Sequence, residues 1–136
     1  LGGRTLKITA DTNVLVRAAV GDDPAQSTAA AEALRAAALI AVTIPVLCEF
    51  VWVLSRAYKF SKPDIGAAIR RLLGTHTVLA DRAAAEAGLA FLEAGGDFAD
   101  GVIAFLGAHA GAEVFLSFDK QAVALATGLG ISAQSP

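Results

Sequence analysis

The sequence predicts an α/β fold, a three-layer α/β/α sandwich around a central parallel sheet of four to five strands. Three observations support this. Short, strongly apolar runs alternate with segments of helical periodicity along the 136 residues, as a parallel sheet covered on both faces requires. The composition, 55% hydrophobic and 18% charged with a net charge of −2, is that of an ordinary globular domain. The length lets the folded chain bury roughly 65–70% of the surface exposed when unfolded. One domain over residues 1–136 is therefore expected, without disulfides or structural zinc. The single Cys48 could build neither and is expected to be a small buried residue.

Each element has its own signal. Leu6-Lys7-Ile8-Thr9-Ala10 is the first strand, followed by a short helix over Asn13 to Ala19. Asp23 before Pro24 is an N-cap with proline at the first helical position, opening an alanine-rich helix to about Ala38. Leu39 to Thr43 is the second strand. After Ile44-Pro45 an apolar helix runs to about Tyr58, with Leu47, Phe50, Val51, Leu54 and Tyr58 on one face. Ser61-Lys62-Pro63 opens a helix that carries Ile65, Ala68, Ile69, Leu72 and Leu73 and stops at Gly74. Thr77 to Leu79 is a third strand; Asp81 caps a helix ended by Gly95-Gly96, and Asp97 caps another that reaches Gly111. Val114 to Ser117 is the fourth strand, Lys120 to about Thr127 the last helix, and Ile131 marks a fifth strand before a tail at residues 132–136.

The mean hydropathy of +0.58 raises the question of a membrane segment, but a spanning helix needs about 18–20 predominantly apolar residues. The apolar run at residues 36–48 is shorter and holds Pro45. No apolar leader flanked by Lys or Arg opens the chain, so a cytoplasmic location without membrane association is expected. The chain has no methionine, so Leu1 is not expected to be the native start, and residues 1–5 are expected to be a flexible or foreign end.

A pI near 5.6 argues against nucleic-acid binding by a general basic excess; any such contact must be local. Arg56, Lys59, Lys62, Arg70 and Arg71, five of the eleven cationic residues, form the one basic concentration. The alternative for them is a solvated helix surface.

Ligands of open parallel sheets sit beyond the carboxyl ends of the strands. That rule selects Asp11 after strand one, Glu49 in the helix after strand two, Asp97 and Asp100 at the start of the helix leading to strand four, and Asp119 just after that strand. Carboxylates converging there raise one another's pKa and either take up protons or bind a cation. An all-oxygen donor set suits Mg2+ or Mn2+, and such an ion serves phosphodiester hydrolysis. Each acid also has a structural alternative. Asp11 and Asp119 are placed to cap helices, and Asp97 and Asp100 resemble a capping box, with the cap assigned to Asp97 and the site to Asp100. Glu49 interrupts an apolar helix and shares a face with Trp52, Val53 and Arg56, where an ion pair with Arg56 could account for it. His76 and His109 lack a nucleophile partner and are expected at the surface or core edge. Gly128-Leu129-Gly130 is not completed to a dinucleotide fingerprint, and no Gly-rich loop follows strand one.

Ile8-Thr9-Ala10-Asp11-Thr12-Asn13-Val14-Leu15, Glu49 after Pro45, Asp97-Phe98-Ala99-Asp100-Gly101-Val102-Ile103-Ala104 and Ser117-Phe118-Asp119-Lys120 together resemble the PIN-domain family, specifically VapC-type toxins of toxin–antitoxin pairs. The likeness runs from about Lys7 to Ile131. It implies a metal-dependent endoribonuclease, with Mg2+ or Mn2+ held by Asp11 and Asp100 as principal acids and Glu49 and Asp119 completing the quartet. Ser117 matches a hydroxyl position that is often threonine, Asn13 a polar residue beside the first acid, and Gly101 stands where alanine is common. The resemblance further implies a homodimer and inhibition by a small cognate antitoxin that alone contacts operator DNA; Trp52 and Val53, off the main core face of their helix, fit either a subunit interface or a helix buried on two sides within the monomer. In that setting Arg56, Lys59, Arg70 and Arg71 become candidate contacts to RNA or antitoxin. The expected chemistry is attack by water on the scissile phosphorus, leaving 5′-phosphate and 3′-hydroxyl ends. The competing expectations are a non-catalytic scaffold for antitoxin and DNA complexes and a Mg2+-dependent phosphatase using Asp11. Against the phosphatase stands Asn13, where a second aspartate would be required.

Overall fold

The computed structural model describes residues 6–136; the expectation for residues 1–5 lies outside the described residues. The chain forms two compact units, one up to Asp81 and the other from Arg82 to Pro136.

The first unit comprises β1 (Lys7–Thr9), α1 (Thr12–Val20), α2 (Pro24–Ala36), β2 (Leu39–Ala41), α3 (Ile44–Arg56), α4 (Lys62–Leu73) and β3 (Val78–Leu79). Its sheet is parallel in the order β1-β2-β3, with Ile8 opposite Ile40 and Ile40 opposite Val78. Central β2 buries Ile40, whereas Lys7 and Thr9 of the edge strand are exposed and Ile8 is half-buried. Burial of strands on both faces thus fails for β1.

Packing in this unit follows the apolar periodicity. Leu47, Phe50 and Leu54 of α3 and Ile65 and Ile69 of α4 are fully buried, each contributing about 1.5–3 kcal/mol of burial free energy. The expected caps are present: the Asp23 carboxylate accepts from the Gln26 N–H at 3.1 Å and the Ser61 hydroxyl from the Asp64 N–H at 3.2 Å. Tyr58 departs from its expected place on the core face. It is half-buried, and its hydroxyl donates to Asp22 at 2.9 Å while accepting from Arg17 at 3.2 Å. Arg17 also bonds Asp22 at 3.1 Å, so the end of α3 is tied to the turn between α1 and α2. Cys48, expected buried, is half-buried.

The second unit comprises α5 (Arg82–Glu93), α6 (Phe98–His109), β4 (Phe115–Leu116), α7 (Lys120–Gly128) and β5 (Ala133–Gln134). β4 and β5 pair in parallel, with Phe115 opposite Ala133. Phe91, Ala104 and Ala126 form a core closed by Phe115, Leu125 and Ile131. Helices α5 and α6 meet almost backbone to backbone. A Cβ added to Gly101 would lie 2.4 Å from the Ala87 carbonyl oxygen, and one at Gly88 2.7 Å from the Phe98 ring.

Among the described residues the hydrogen-bonded ladders are one of three strands in the first unit and one of two in the second; a central sheet of four to five strands is not shown. Strands of two or three residues carry few ladder bonds on either edge. One expectation is corrected. The fifth strand lies at Ala133–Gln134, within the expected tail, and not at Ile131. Ile131 instead closes α7: its N–H bonds the Ala126 carbonyl at 2.8 Å, the Gly130 N–H bonds that of Thr127 at 3.0 Å, and Gly130 has φ +84°. This is a Schellman cap, with the apolar residue after the left-handed glycine folded back onto the helix. No helix among the described residues is long and apolar enough to cross a membrane.

Candidate metal centre

In the first unit the chain turns directly from β1 into α1, which makes Asp11 the N-cap. One carboxylate oxygen accepts from the Thr12 N–H at 2.8 Å. A cap more often reaches the second or third helical N–H, so Asp11 stays close to the turn and has its second oxygen free of hydrogen bonds among the described residues. Glu49 lies in the second turn of α3, and its Oε1 accepts from the Thr12 hydroxyl. That bond, and not the alternative of an ion pair with Arg56, is what Glu49 makes among the described residues. Thr12 is 3% exposed, the buried polar residue among those described, and it touches both acids. Sequence reasoning passed over it because its partner lies 37 residues away, beyond any local pattern. Asn13 is exposed in the first turn of α1.

In the second unit Asp97 caps α6, accepting from the Ala99 N–H at 3.2 Å, in agreement with its assignment as the cap. Asp100, one turn on, is half-buried. Its position is fixed by the close α5–α6 approach at Gly101, which gives the glycine at that position a steric reason. Asp119 caps α7, one oxygen accepting from the Gln121 and Ala122 N–H groups at 2.9 and 3.2 Å. The Ser117 hydroxyl accepts from the Asp119 N–H at 3.0 Å, a turn that sets the aspartate at the head of the helix. Burial, and then the charges of Asp97 and Asp119, push the Asp100 carboxyl above the ordinary carboxylate value. The capping and ligand alternatives are therefore compatible: a capping carboxylate spends one oxygen on backbone and keeps the other.

The selected acids fall into two subsets, Asp11 with Glu49 and Asp97 with Asp100 and Asp119. Among the described residues no group of three or more His, Cys, Asp or Glu side chains is gathered closely enough to hold a metal. The donor chemistry nevertheless fits a hard divalent cation: every candidate ligand is a carboxylate oxygen.

The basic residues divide as well. Arg56, Lys59 and Lys62 lie around the α3–α4 connection, with Lys59 at φ 58°. Arg70 and Arg71 occupy the last turn of α4, about 12 Å along the helix from Lys62 at 1.5 Å per residue. All five are exposed. His76 and His109 are exposed too, and His109 stacks on Phe105 at 5.7 Å. Trp52 is 60% and Phe118 85% exposed.

Comparison with known proteins gives one positive finding. The family model described as PIN domain matches residues 8–127, a stretch that crosses both units and includes Asp11, Glu49, Asp100 and Asp119. No curated protein matches the chain in sequence. PIN domains are a superfamily of nucleases, generally metal-dependent hydrolases of nucleic acids. With the family match spanning both units and every acid of the expected quartet, the chain belongs to the PIN domain family.

Proposed function

We propose that this chain is a single PIN domain acting as an endoribonuclease toxin of the VapC type, dependent on Mg2+ or Mn2+ and inhibited by a cognate small antitoxin. The observation that supports the nuclease reading most directly is the PIN-family match over residues 8–127, a stretch in which burial and the neighbouring Asp97 and Asp119 raise the Asp100 carboxyl above its ordinary value. Asp11, Glu49, Asp100 and Asp119 are the residues that would hold the cation. When bound, it would supply a polarised water and offset charge on the phosphate. Around it the chain's own residues do the positioning. Asp11 and Asp119 are anchored to the first N–H groups of their helices. Ser117 fixes the backbone at Asp119, and Asp97 holds the head of α6.

Arg56 stands seven residues after Glu49 on α3, two helical turns or about 10.5 Å along the same face. It is offered as a contact to an RNA phosphate flanking the cleaved one, with Lys59, Arg70 and Arg71 as further contacts to RNA or antitoxin. Such contacts position the nucleic acid without reading its bases. The exposure of Trp52 and Phe118 supports apolar surface covered by a second copy or by the antitoxin. Operator DNA would be reached only through the antitoxin.

The test is cleavage of a mixed pool of folded RNAs by antitoxin-free protein with Mg2+, Mn2+ or EDTA, alongside Asp11→Asn and Asp100→Asn. Metal-dependent cutting that falls in both variants to the background of the EDTA control is expected. A folded, metal-binding wild type that cuts nothing in the pool would favour the non-catalytic scaffold.

A further inference from the structure

We infer that Thr12 is a positioning residue for the metal site, joining Asp11 and Glu49 into one ligand pair through its backbone N–H and its side-chain hydroxyl; the inference rests on the proposed metal site. The N–H donates to Asp11 Oδ1 at 2.8 Å, and the hydroxyl donates to Glu49 Oε1 from the first residue of α1 across to α3. Both acids belong to exposed residues, where a glutamate side chain would otherwise sample many rotamers. Thr12 is itself buried, and β-branching restricts its χ1. A stiff, buried donor is therefore attached to a flexible, exposed acceptor. It occupies one glutamate oxygen and leaves Oε2 for a cation. Partners that orient a metal ligand in this way typically contribute about 10–100-fold to metal affinity.

Burial alone does not account for this arrangement. A threonine whose hydroxyl needed a partner only because it was buried could bond a backbone carbonyl in its own neighbourhood, as threonines in helices commonly do. Here the hydroxyl reaches a carboxylate 37 residues away, and the same residue's N–H holds the neighbouring acid. Valine has nearly the shape of threonine and lacks the donor, while serine keeps the donor and lacks the methyl group. The two substitutions therefore separate hydroxyl from packing.

The experiment is Mn2+ titration of the full chain, following free Mn2+ by electron paramagnetic resonance, for wild type, Thr12→Val, Thr12→Ser, Glu49→Ala and the Thr12→Val/Glu49→Ala double variant, with thermal melting of each. Thr12→Val is expected to melt close to wild type yet bind Mn2+ about 10-fold more weakly or worse. Thr12→Ser should recover most of that affinity, and the double variant should bind no more weakly than Glu49→Ala alone. Wild-type affinity in Thr12→Val, or full additivity in the double variant, would overturn the role. If Thr12→Val does not fold, Thr12→Ala, which adds no bulk, takes its place in the same comparison. A folded wild type that binds no Mn2+ removes the metal site itself and the inference with it, an outcome distinct from a wild type that binds and a Thr12 variant that binds equally.

Discussion

Asp11 and Glu49 of the first unit and Asp100 of the second are held by different means. In the first, Asp11 and Glu49 are each given a donor, and both donors come from Thr12. In the second, Asp100 is given no such donor; it has partial burial and two like charges, Asp97 and Asp119, and its carboxyl is pushed toward the protonated form. The first arrangement orders its ligands before any cation arrives. The second leaves its carboxyl partly buried beside two like charges. The carboxylates are thus held by hydrogen bonds at Asp11 and Glu49, whereas at Asp100 burial and then neighbouring charge act on the carboxyl.

If the second unit depends on rigid placement of its acids, removing the close helix approach should have the largest effect on stability. Gly101→Ala forces a methyl group into the Ala87 carbonyl, 2.4 Å away, with a cost of about 1–3 kcal/mol. Gly107→Ala on the same helix meets nothing within 4 Å and should stabilise by about 0.5–1 kcal/mol through helix propensity. Urea denaturation of the pair reads both; equal effects at the two positions would contradict the packing account.

A smaller effect is expected at Asp119, whose carboxylate both caps α7 and repels Asp100. Asp119→Ala should lose about 0.5–2 kcal/mol with the cap, whereas Asp119→Asn keeps a capping oxygen and sheds the charge. The Asn variant should therefore be clearly the more stable of the two. Equal loss in both would mean that the charge, and not the cap, is what the fold uses.

The smallest effect is the pH dependence at Asp100. Its folded-state pKa lies above the unfolded one, so between the two values the folded chain holds more protons and stability falls as pH rises. Asp100→Asn lacks that penalty. In metal-free buffer it should be more stable than wild type at about pH 7, and the difference should vanish at about pH 3, below the ordinary carboxylate range. A variant less stable than wild type at neutral pH would show that the Asp100 charge is satisfied and not crowded.

Much of the fold was legible because its signals are local. Ser61 and Gly74 bracket α4 as expected, since a cap and a stop act within one turn of chain. The positions of β1 to β4 followed from short apolar runs, but their pairing did not, because two or three residues do not specify a ladder. Ile131 departs from the expected strand for a physical reason: an apolar residue after a glycine marks a helix cap as well as a strand start, and here it is the cap. At the candidate site, the caps at Asp11, Asp97 and Asp119 were foreseeable from position alone. The Thr12–Glu49 bond and the α5–α6 contact were not, since both depend on residues brought together by tertiary packing.

The central claim is the proposed one, that Asp11 and Asp100 are both needed for the chain to bind its cation. Its most direct test is Mn2+ affinity and stoichiometry by electron paramagnetic resonance in wild type, Asp11→Asn and Asp100→Asn. The account predicts that either substitution alone weakens the same binding event. Tight binding that survives Asp11→Asn unchanged while Asp100→Asn abolishes it, or the reverse, would contradict it.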